Sequence, residues 1–377
     1  MVTESPAAEL PSRLAALVES FREGEERALA RAISAVENER QGFEELLDAL
    51  HDGVGRARRI GVTGPPGAGK STLTCGLARR YRGGGDRIGI IAADPTSPFT
   101  GGALLGDRVR MSELATEEGI FIRSMASRGS LGGLTAATRE AADLMDAFGF
   151  DRILLETVGV GQAELEIADS ADTTVVVLVP ESGDGIQAMK AGLMEVADVF
   201  VVNKADRPGA DRLVKEIEVM KKLRTGSTRG LGAGHHGPGG GTGGGSGADA
   251  GSAGGDDGPR GGGRDGRADT REAGSPGDPW EVPVLKTVAP EGEGVDDVLE
   301  RIDAHHAHLE DSGELARRRR EHLVKQARAV LLRRMERRGE ELWTREAGPF
   351  VEELVEGRLT PYRVADAVEA RLEGPGG

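Results

Sequence analysis

At 377 residues the chain exceeds a usual single domain and suits one large α/β domain with helical additions; its 38% hydrophobic residues include only 3% aromatics, so the core falls to Val, Leu, Ile, Ala and Met. A net charge of -15 disfavours nucleic acid as the main partner, because phosphate backbones demand a basic surface. The single cysteine, Cys75, rules out an internal disulfide, and there is neither a basic-then-apolar leader nor an apolar run long enough to span a bilayer, so a soluble cytoplasmic protein with no membrane contact is expected.

Residues 8–50 read as helices: Leu10, Leu14, Leu17 and Val18 recur at helical spacing, then Ala28, Ala30, Ile33 and Val36 do the same. Short β-branched runs follow at 59–63, 88–93, 120–124, 152–156, 174–179, 199–202 and 282–287, most of them separated by helical patterns. Strands alternating with helices predict an α/β fold whose mainly parallel sheet is covered on both faces. From 226 to 279 glycine dominates and no apolar period survives, so this stretch reads as a disordered insertion that cannot offset its ordering entropy. Within it His235 and His236 are either a metal pair or a solvated polar pair, with no third or fourth ligand nearby in sequence.

After Asp297 the pattern is helical again. Residues 314–338 carry Leu315, Leu323, Val324, Ala327, Val330 and Leu331 among many arginines, and 360–372 opens with a Thr-Pro helix start. The arginine run at 317–320 is either a contact for an acidic partner or a solvated helix face. The expected division is a helical extension at 1–52, a nucleotide-binding domain at 53–312 interrupted by 226–279, and a second helical extension at 313–377.

The strand at 59–63 leads into GPPGAGKS, made of Gly64, Pro65, Pro66, Gly67, Ala68, Gly69, Lys70 and Ser71, with Thr72 continuing into a helix at 71–82. G-x-x-x-x-G-K-[ST] between a strand and a helix is a phosphate loop. Its glycines bring backbone N–H groups onto an anion, and the helix N-terminus favours negative charge. Lys70 is expected to reach the β- and γ-phosphates, and the Ser71 hydroxyl to ligate Mg²⁺.

The strand at 199–202 ends in Asn203, Lys204, Ala205 and Asp206. An aspartate there can accept from guanine N1–H and the exocyclic amine, whereas adenine offers neither in that arrangement. Asn203 would hold the loop and contact the base edge, and the Lys204 stem would pack along the ring. Thr287, Val288 and Ala289 follow the last strand where a backbone N–H can meet the guanine carbonyl. The alternative for N-K-x-D is an Asn/Asp helix-capping turn.

Asp94 ends the strand at 88–93 and opens DPTSPFTGGALLGD, which closes on Asp107. Glu156 ends the strand at 152–156, the Walker-B position, and Gly159 beyond it can offer its N–H to a γ-phosphate. Asp94 suits a magnesium-bound water and Asp107 a segment ordered around the γ-phosphate; each of these three acids also reads as a cap or turn residue. No evident arginine finger stands in cis, so slow intrinsic hydrolysis accelerated by a partner is expected.

Taken together, GVTGPPGAGKST, DPTSPFTGGALLGDRVRM, SRGSLGGL at 127–134, ETVGVGQAE at 156–164, GDGIQAMKAGLMEVAD at 183–198 and VVNKAD at 201–206 resemble the MeaB/ArgK family. These are P-loop GTPases of the SIMIBI class associated with methylmalonyl-CoA mutase and similar adenosylcobalamin-dependent acyl-CoA mutases. The resemblance runs from about residue 10 to 372, apart from the glycine-rich stretch. It implies a homodimer aided by the C-terminal extension, GTP and GDP as ligands with Mg²⁺, and a chaperone role that gates cobalamin delivery and protects the mutase. By motif, Lys70, Asp94, Asp107 and Glu156 take hydrolysis and magnesium roles (Ser71, Asp94 and Glu156 on the metal), and Asn203, Asp206 and Ala289 the base contacts. Gln187 and Lys190 fall on a switch segment that senses the mutase, although Lys190 reads equally as a solvated helix lysine. Two features depart from the pattern: the length of 226–279, and KTVA where a Ser-Ala pair is expected. The alternative is an ATPase or kinase linked to arginine/ornithine (LAO/AO) transport, a label the family has also carried; Asp206 speaks against it. A nickel-inserting GTPase would need a His/Cys cluster, which one cysteine and scattered histidines do not supply.

Overall fold

The structure, a computed structural model, describes residues 11–94, 111, 114–126, 136–157, 166–180, 192–229 and 279–370. Among these, seven strands form one parallel sheet: β1 (Arg58–Thr63), β2 (Ile88–Asp94), β3 (Ile120–Ala126), β4 (Arg152–Glu156), β5 (Thr173–Leu178), β6 (Val199–Asn203) and β7 (Val284–Thr287). Their order is β3-β2-β4-β1-β5-β6-β7, and every neighbouring pair is parallel. Each expected strand is present. The last one starts two residues later than its apolar run, because Pro283 has no N–H for the ladder and only its carbonyl pairs, with the Phe200 N–H at 2.9 Å.

Parallel strands need helical crossovers, and the alternation of side chains along each strand divides the core. Val175 and Val177 of β5 pack with Leu73 and Leu77 of α4 (Lys70–Gly83), while Val176 and Leu178 face the opposite way. The helices α1 (Ser12–Arg22), α2 (Glu26–Glu37), α3 (Phe43–Leu50) and α5 (Ala136–Ala147) share one core with Ile91, Met125, Ile153 and Leu155 of the sheet. The N-terminal helices therefore cover one sheet face. Burial of each large aliphatic side chain there contributes about 1.5–3 kcal/mol. On the same side, α6 (Ala210–Arg229) places Leu213 and Ile217 against Val176, Leu178 and Phe200. Helix α7 (Val295–Asp311) joins α4 on the other face through Val295, Val298 and Ile302.

Helix α6 continues to Arg229, past Gly226, where the glycine-rich stretch was expected to begin; a helical glycine costs only about 1 kcal/mol against alanine. Residues 230–278, with His235 and His236, lie outside the described residues. The C-terminal extension comprises α8 (Glu314–Glu346), α9 (Gly348–Val355) and α10 (Pro361–Glu369). Helix α8 runs on past residue 338, the end of its sequence pattern, to Glu346. Thr360 caps α10 by accepting from the Arg363 N–H at 3.3 Å, with Pro361 at the first helical position as expected. Among the described residues no helix is long and apolar enough to cross a membrane.

The arginine run at 317–320 is not a solvated face throughout. Arg317 pairs along its own helix with Glu314 and Glu321. Arg319 instead grips Asp172 with two bonds, 2.9 and 2.8 Å, and donates to the carbonyls of Gly55 at 2.6 Å and Ala57 at 2.9 Å. Arg318 donates to Asp198 at 3.2 and 3.3 Å. These acids sit just before β5 and β6, so α8 is fastened across the amino-terminal edge of the sheet, opposite the phosphate loop.

Burial alone would raise the Asp172 carboxyl, but the Arg319 hydrogen bonds and charge, helped by the Arg59 amide, outweigh it and hold the group below its ordinary value. A carboxyl lowered in the folded state stabilises the fold above its unfolded pKa, about 3.9, and that contribution is lost as pH falls through the lower folded value. Arg319→Ala is therefore expected to destabilise the protein by about 2–4 kcal/mol at pH 7, with a smaller difference from wild type near pH 3. Urea denaturation at the two pH values measures this; an equal difference at both would remove the ion pair from the explanation.

Candidate functional site

The phosphate loop joins β1 to α4 at the carboxyl edge of the sheet, where parallel α/β sheets place ligands. Two of its glycines are dictated by close approach. At Gly64 (φ +137°) a Cβ would lie 2.0 Å from the Val177 carbonyl oxygen of β5. At Gly69 (φ +88°) it would lie 2.3 Å from Asn203 Nδ2. Any side chain at either position would push the loop off the strands.

Lys70 opens α4, and its buried ammonium donates to the carbonyls of Gly64 at 2.9 Å and Pro65 at 3.1 Å. It thus lies folded over the loop that an anion would occupy. Ser71, the next residue, donates its hydroxyl to Glu156 Oε1 at 2.6 Å. Glu156 is the last residue of β4, paired in register with Val62 of β1, and is buried at 5% exposure. Thr157 closes the same edge by donating to Thr63 Oγ1 at 2.9 Å, a contact between strand ends that no local pattern announces.

Magnesium favours hard oxygen ligands and uses one or two carboxylates together with phosphate oxygens. The Ser71–Glu156 pair fits it: the hydroxyl gives its hydrogen to the carboxylate and keeps its lone pairs for a cation. Ala92 of β2 is in register with Glu156, and Asp94 lies two residues beyond Ala92 on the same carboxyl edge. Among the described residues no group of three or more His, Cys, Asp or Glu is assembled as a dedicated metal cage. Asp107, Gly159, Gln187 and Lys190 lie outside the described residues.

On the base side Asn203, the last residue of β6, bonds within the protein through both ends of its amide. Its Nδ2 donates to the Ala68 carbonyl at 2.8 Å, and its Oδ1 accepts from Thr287 Oγ1 at 3.0 Å and the Ala289 N–H at 3.1 Å. Asn203 acts as a brace between the phosphate loop and the 287–289 segment, the loop-holding role expected of it, and it spends one Nδ2 hydrogen on Ala68. The Ala289 N–H already donates to that brace, so a guanine carbonyl would have to share the hydrogen. Thr287 uses its hydroxyl on the brace as well, whereas Val288, next to Ala289, carries no hydroxyl where the Ser of a Ser-Ala pair was expected.

Lys204 adopts φ +55°, an uncommon conformation for a side-chain-bearing residue, and is locked by the Ala205 N–H donating to the Thr287 carbonyl at 3.0 Å. That turn carries Asp206 out to an exposed position, where it makes no hydrogen bond or ion pair with the described residues. Val288 and Ala289 are buried beside it. A cleft of about 430 Å³ beside α4 is lined by Ser71, Thr72, Cys75, Arg80 and Ala289 among others. A larger cavity of about 860 Å³ between α3, α5 and α8 contains none of the motif residues.

Comparison with known proteins agrees with this geometry. The family model described as methylmalonyl-CoA mutase-associated GTPase MeaB matches residues 29–341. A Pyrococcus horikoshii chain described as a GTPase is 38% identical over 358 residues, 95% of this chain and 98% of that one. GTPase ArgK of Escherichia coli is 43% identical over 197 residues, 51% of this chain and 60% of its own. The mitochondrial methylmalonic aciduria type A homolog of Mus musculus is 37% identical over 219 residues, 53% of each chain. The crystal structure of an LAO/AO transport system kinase superposes with a TM-score of 0.59 at 24% identity, covering 97% of this chain and all of that one, and so shares the fold.

Proposed function

The chain belongs to the methylmalonyl-CoA mutase-associated GTPase family MeaB, and from that membership we propose that it serves an adenosylcobalamin-dependent acyl-CoA mutase, gating cofactor delivery and protecting the enzyme. The protein is a P-loop GTPase. The observation that carries the nucleotide assignment is the Asn203 brace: one side chain joins the phosphate loop at Ala68 to the base segment at Thr287 and Ala289. A single ligand long enough to span both ends is a nucleoside triphosphate.

In this reading the loop amides and Lys70 hold the β- and γ-phosphates, and Lys70 exchanges its bonds to the Gly64 and Pro65 carbonyls for phosphate oxygens. Ser71 and Glu156, with Asp94, hold magnesium, which supplies charge neutralisation on the phosphates. Asp206 accepts from guanine N1–H and the exocyclic amine, and the Lys204 stem lies along the purine. Asp107, Gly159, Gln187 and Lys190 keep the γ-phosphate and mutase-sensing roles that the family resemblance implies. The protein works as a homodimer through its C-terminal extension. Exposed Leu323, Val324, Leu331, Leu332 and Met335 on α8 support that role, since a run of large apolar side chains left to water is usually covered by a partner.

Sedimentation of the purified protein tests both claims. We expect a dimer alone, and a heavier complex when a B12-dependent acyl-CoA mutase subunit and a non-hydrolysable GTP analogue are added. A monomer would remove the dimer, and no co-sedimentation with the mutase would remove the partner.

A further inference from the structure

The turn that carries Ala289 is held from outside as well as from within. Internally, the Glu291 N–H donates to the Val288 carbonyl at 3.0 Å, the Gly292 N–H to the Ala289 carbonyl at 3.2 Å, and the Val288 N–H to the Glu293 carbonyl at 3.1 Å. Externally, Arg80 of α4 donates through Nη2 to the Gly292 carbonyl at 2.9 Å. Its Nε and Nη2 also meet both carboxylate oxygens of Asp296, in the first turn of α7, at 2.5 and 3.2 Å. The remaining nitrogen reaches back to the Gly76 carbonyl at 3.3 Å, so the guanidinium is fixed to its own helix too. Gly292, at φ +77°, lets the fork lie against the turn; a Cβ there would come within 3.2 Å of Nη2.

Helix α4 begins with Lys70 and Ser71. Arg80 is ten residues, about 15 Å, further along the same rod. One rigid helix therefore presents the phosphate-binding groups at one end and a grip on the base segment at the other. An exposed Arg–Asp pair on its own stabilises little, and Asp296 is 75% exposed. The bond to Gly292 is what gives the arrangement a consequence beyond stability, because it fixes the turn whose first residue supplies the amide beside the purine.

We propose that Arg80 is a positioning residue for guanine recognition, holding the 289–292 turn at a set distance from the phosphate loop. The proposal rests on the guanine assignment above. Arg80 acts through Ala289 and the Asn203 brace, so its loss weakens nucleotide binding and spares hydrolysis of GTP once bound.

The test uses the full chain with Arg80→Ala, Arg80→Lys and Asp296→Ala, reading GDP and ADP affinity by calorimetry and the KM and kcat for GTP. Arg80→Ala is expected to raise the GDP Kd and the GTP KM about tenfold, the loss of one charge-assisted bond, with kcat within about twofold of wild type. Arg80→Lys recovers part of the affinity, since an ammonium reaches one acceptor but lacks the fork. Asp296→Ala changes an exposed side chain, leaves folding intact, and shifts the GDP Kd the same way by a smaller factor. An unchanged GDP Kd in both alanine variants, or a fall in kcat at unchanged KM, overturns the proposal. Asp206→Asn runs in parallel. If wild type binds ADP as tightly as GDP, the guanine assignment falls and this inference with it; if Asp206→Asn loses the preference while Arg80→Ala matches wild type, only the role of Arg80 falls.

Discussion

Lys70→Ala is expected to cut GTP turnover at saturating nucleotide by about 100- to 1,000-fold, the range for removing one preorganised group from a charge-stabilising site. The side chain is buried at the start of α4 and already sits across the loop, bonded to the Gly64 and Pro65 carbonyls. Moving onto a phosphate therefore needs only a short swing of the ammonium, with little side-chain freedom left to lose. In a water-poor pocket a cation beside developing phosphate charge is worth far more than at the surface. Removing it also takes a donor from two loop carbonyls, which costs about 1–3 kcal/mol of stability and leaves a protein that still folds. Lys70→Arg is not expected to rescue turnover, because a planar, delocalised fork cannot act as a compact charge. Single-turnover phosphate release, with a thermal melt on the same samples, checks this. Turnover within threefold of wild type in folded Lys70→Ala would remove the side chain from the mechanism.

The strands were legible because β-branched runs of four to six residues leave few alternatives, and the phosphate loop because its glycines answer local demands. What those glycines avoid was not legible: the Val177 carbonyl and the Asn203 amide belong to strands far along the chain. The same limit explains Arg318 and Arg319. An arginine run on a helix looks identical in sequence whether it faces water or reaches Asp172 and Asp198, 147 and 120 residues away. Asn203 shows a subtler gap. Its place at the end of a strand marked it as a residue that holds the loop, but not its partners, Ala68 and the 287–289 segment, whose proximity exists only once β6, β7 and α4 are assembled. Gly226 misled where context outweighed propensity: it reads as the start of the glycine-rich stretch and lies inside a helix.

Asp206→Asn should weaken GDP binding by about 100-fold or more, since each hydrogen bond to a charged acceptor contributes about 1.5–3 kcal/mol and two are lost or reversed. A carboxylate offers two acceptors to the two donors of guanine, N1–H and the exocyclic amine. The amide of asparagine replaces one acceptor with a donor, which then faces a donor. Xanthine carries a carbonyl where guanine carries the amine, so the same substitution is expected to raise affinity for XDP while GDP falls. ADP offers no matching donor pair and should change little. The geometry is favourable for a clean result: Asp206 is exposed, has no partner among the described residues, and sits on a turn held by backbone bonds at Lys204 and Ala205, so the change touches base contact without touching the fold. Calorimetric titration of GDP, XDP and ADP into both proteins reads the outcome. An unaltered ratio of GDP to ADP affinity would mean that the carboxylate never meets the purine, and tight ATP with weak GTP in the wild type would point instead to a transport-linked ATPase or kinase. A guanine preference that moves with this one oxygen would place purine discrimination at the end of β6, where the turn at Lys204 holds the acid out toward solvent and the Asn203 brace fixes its distance from the phosphate loop.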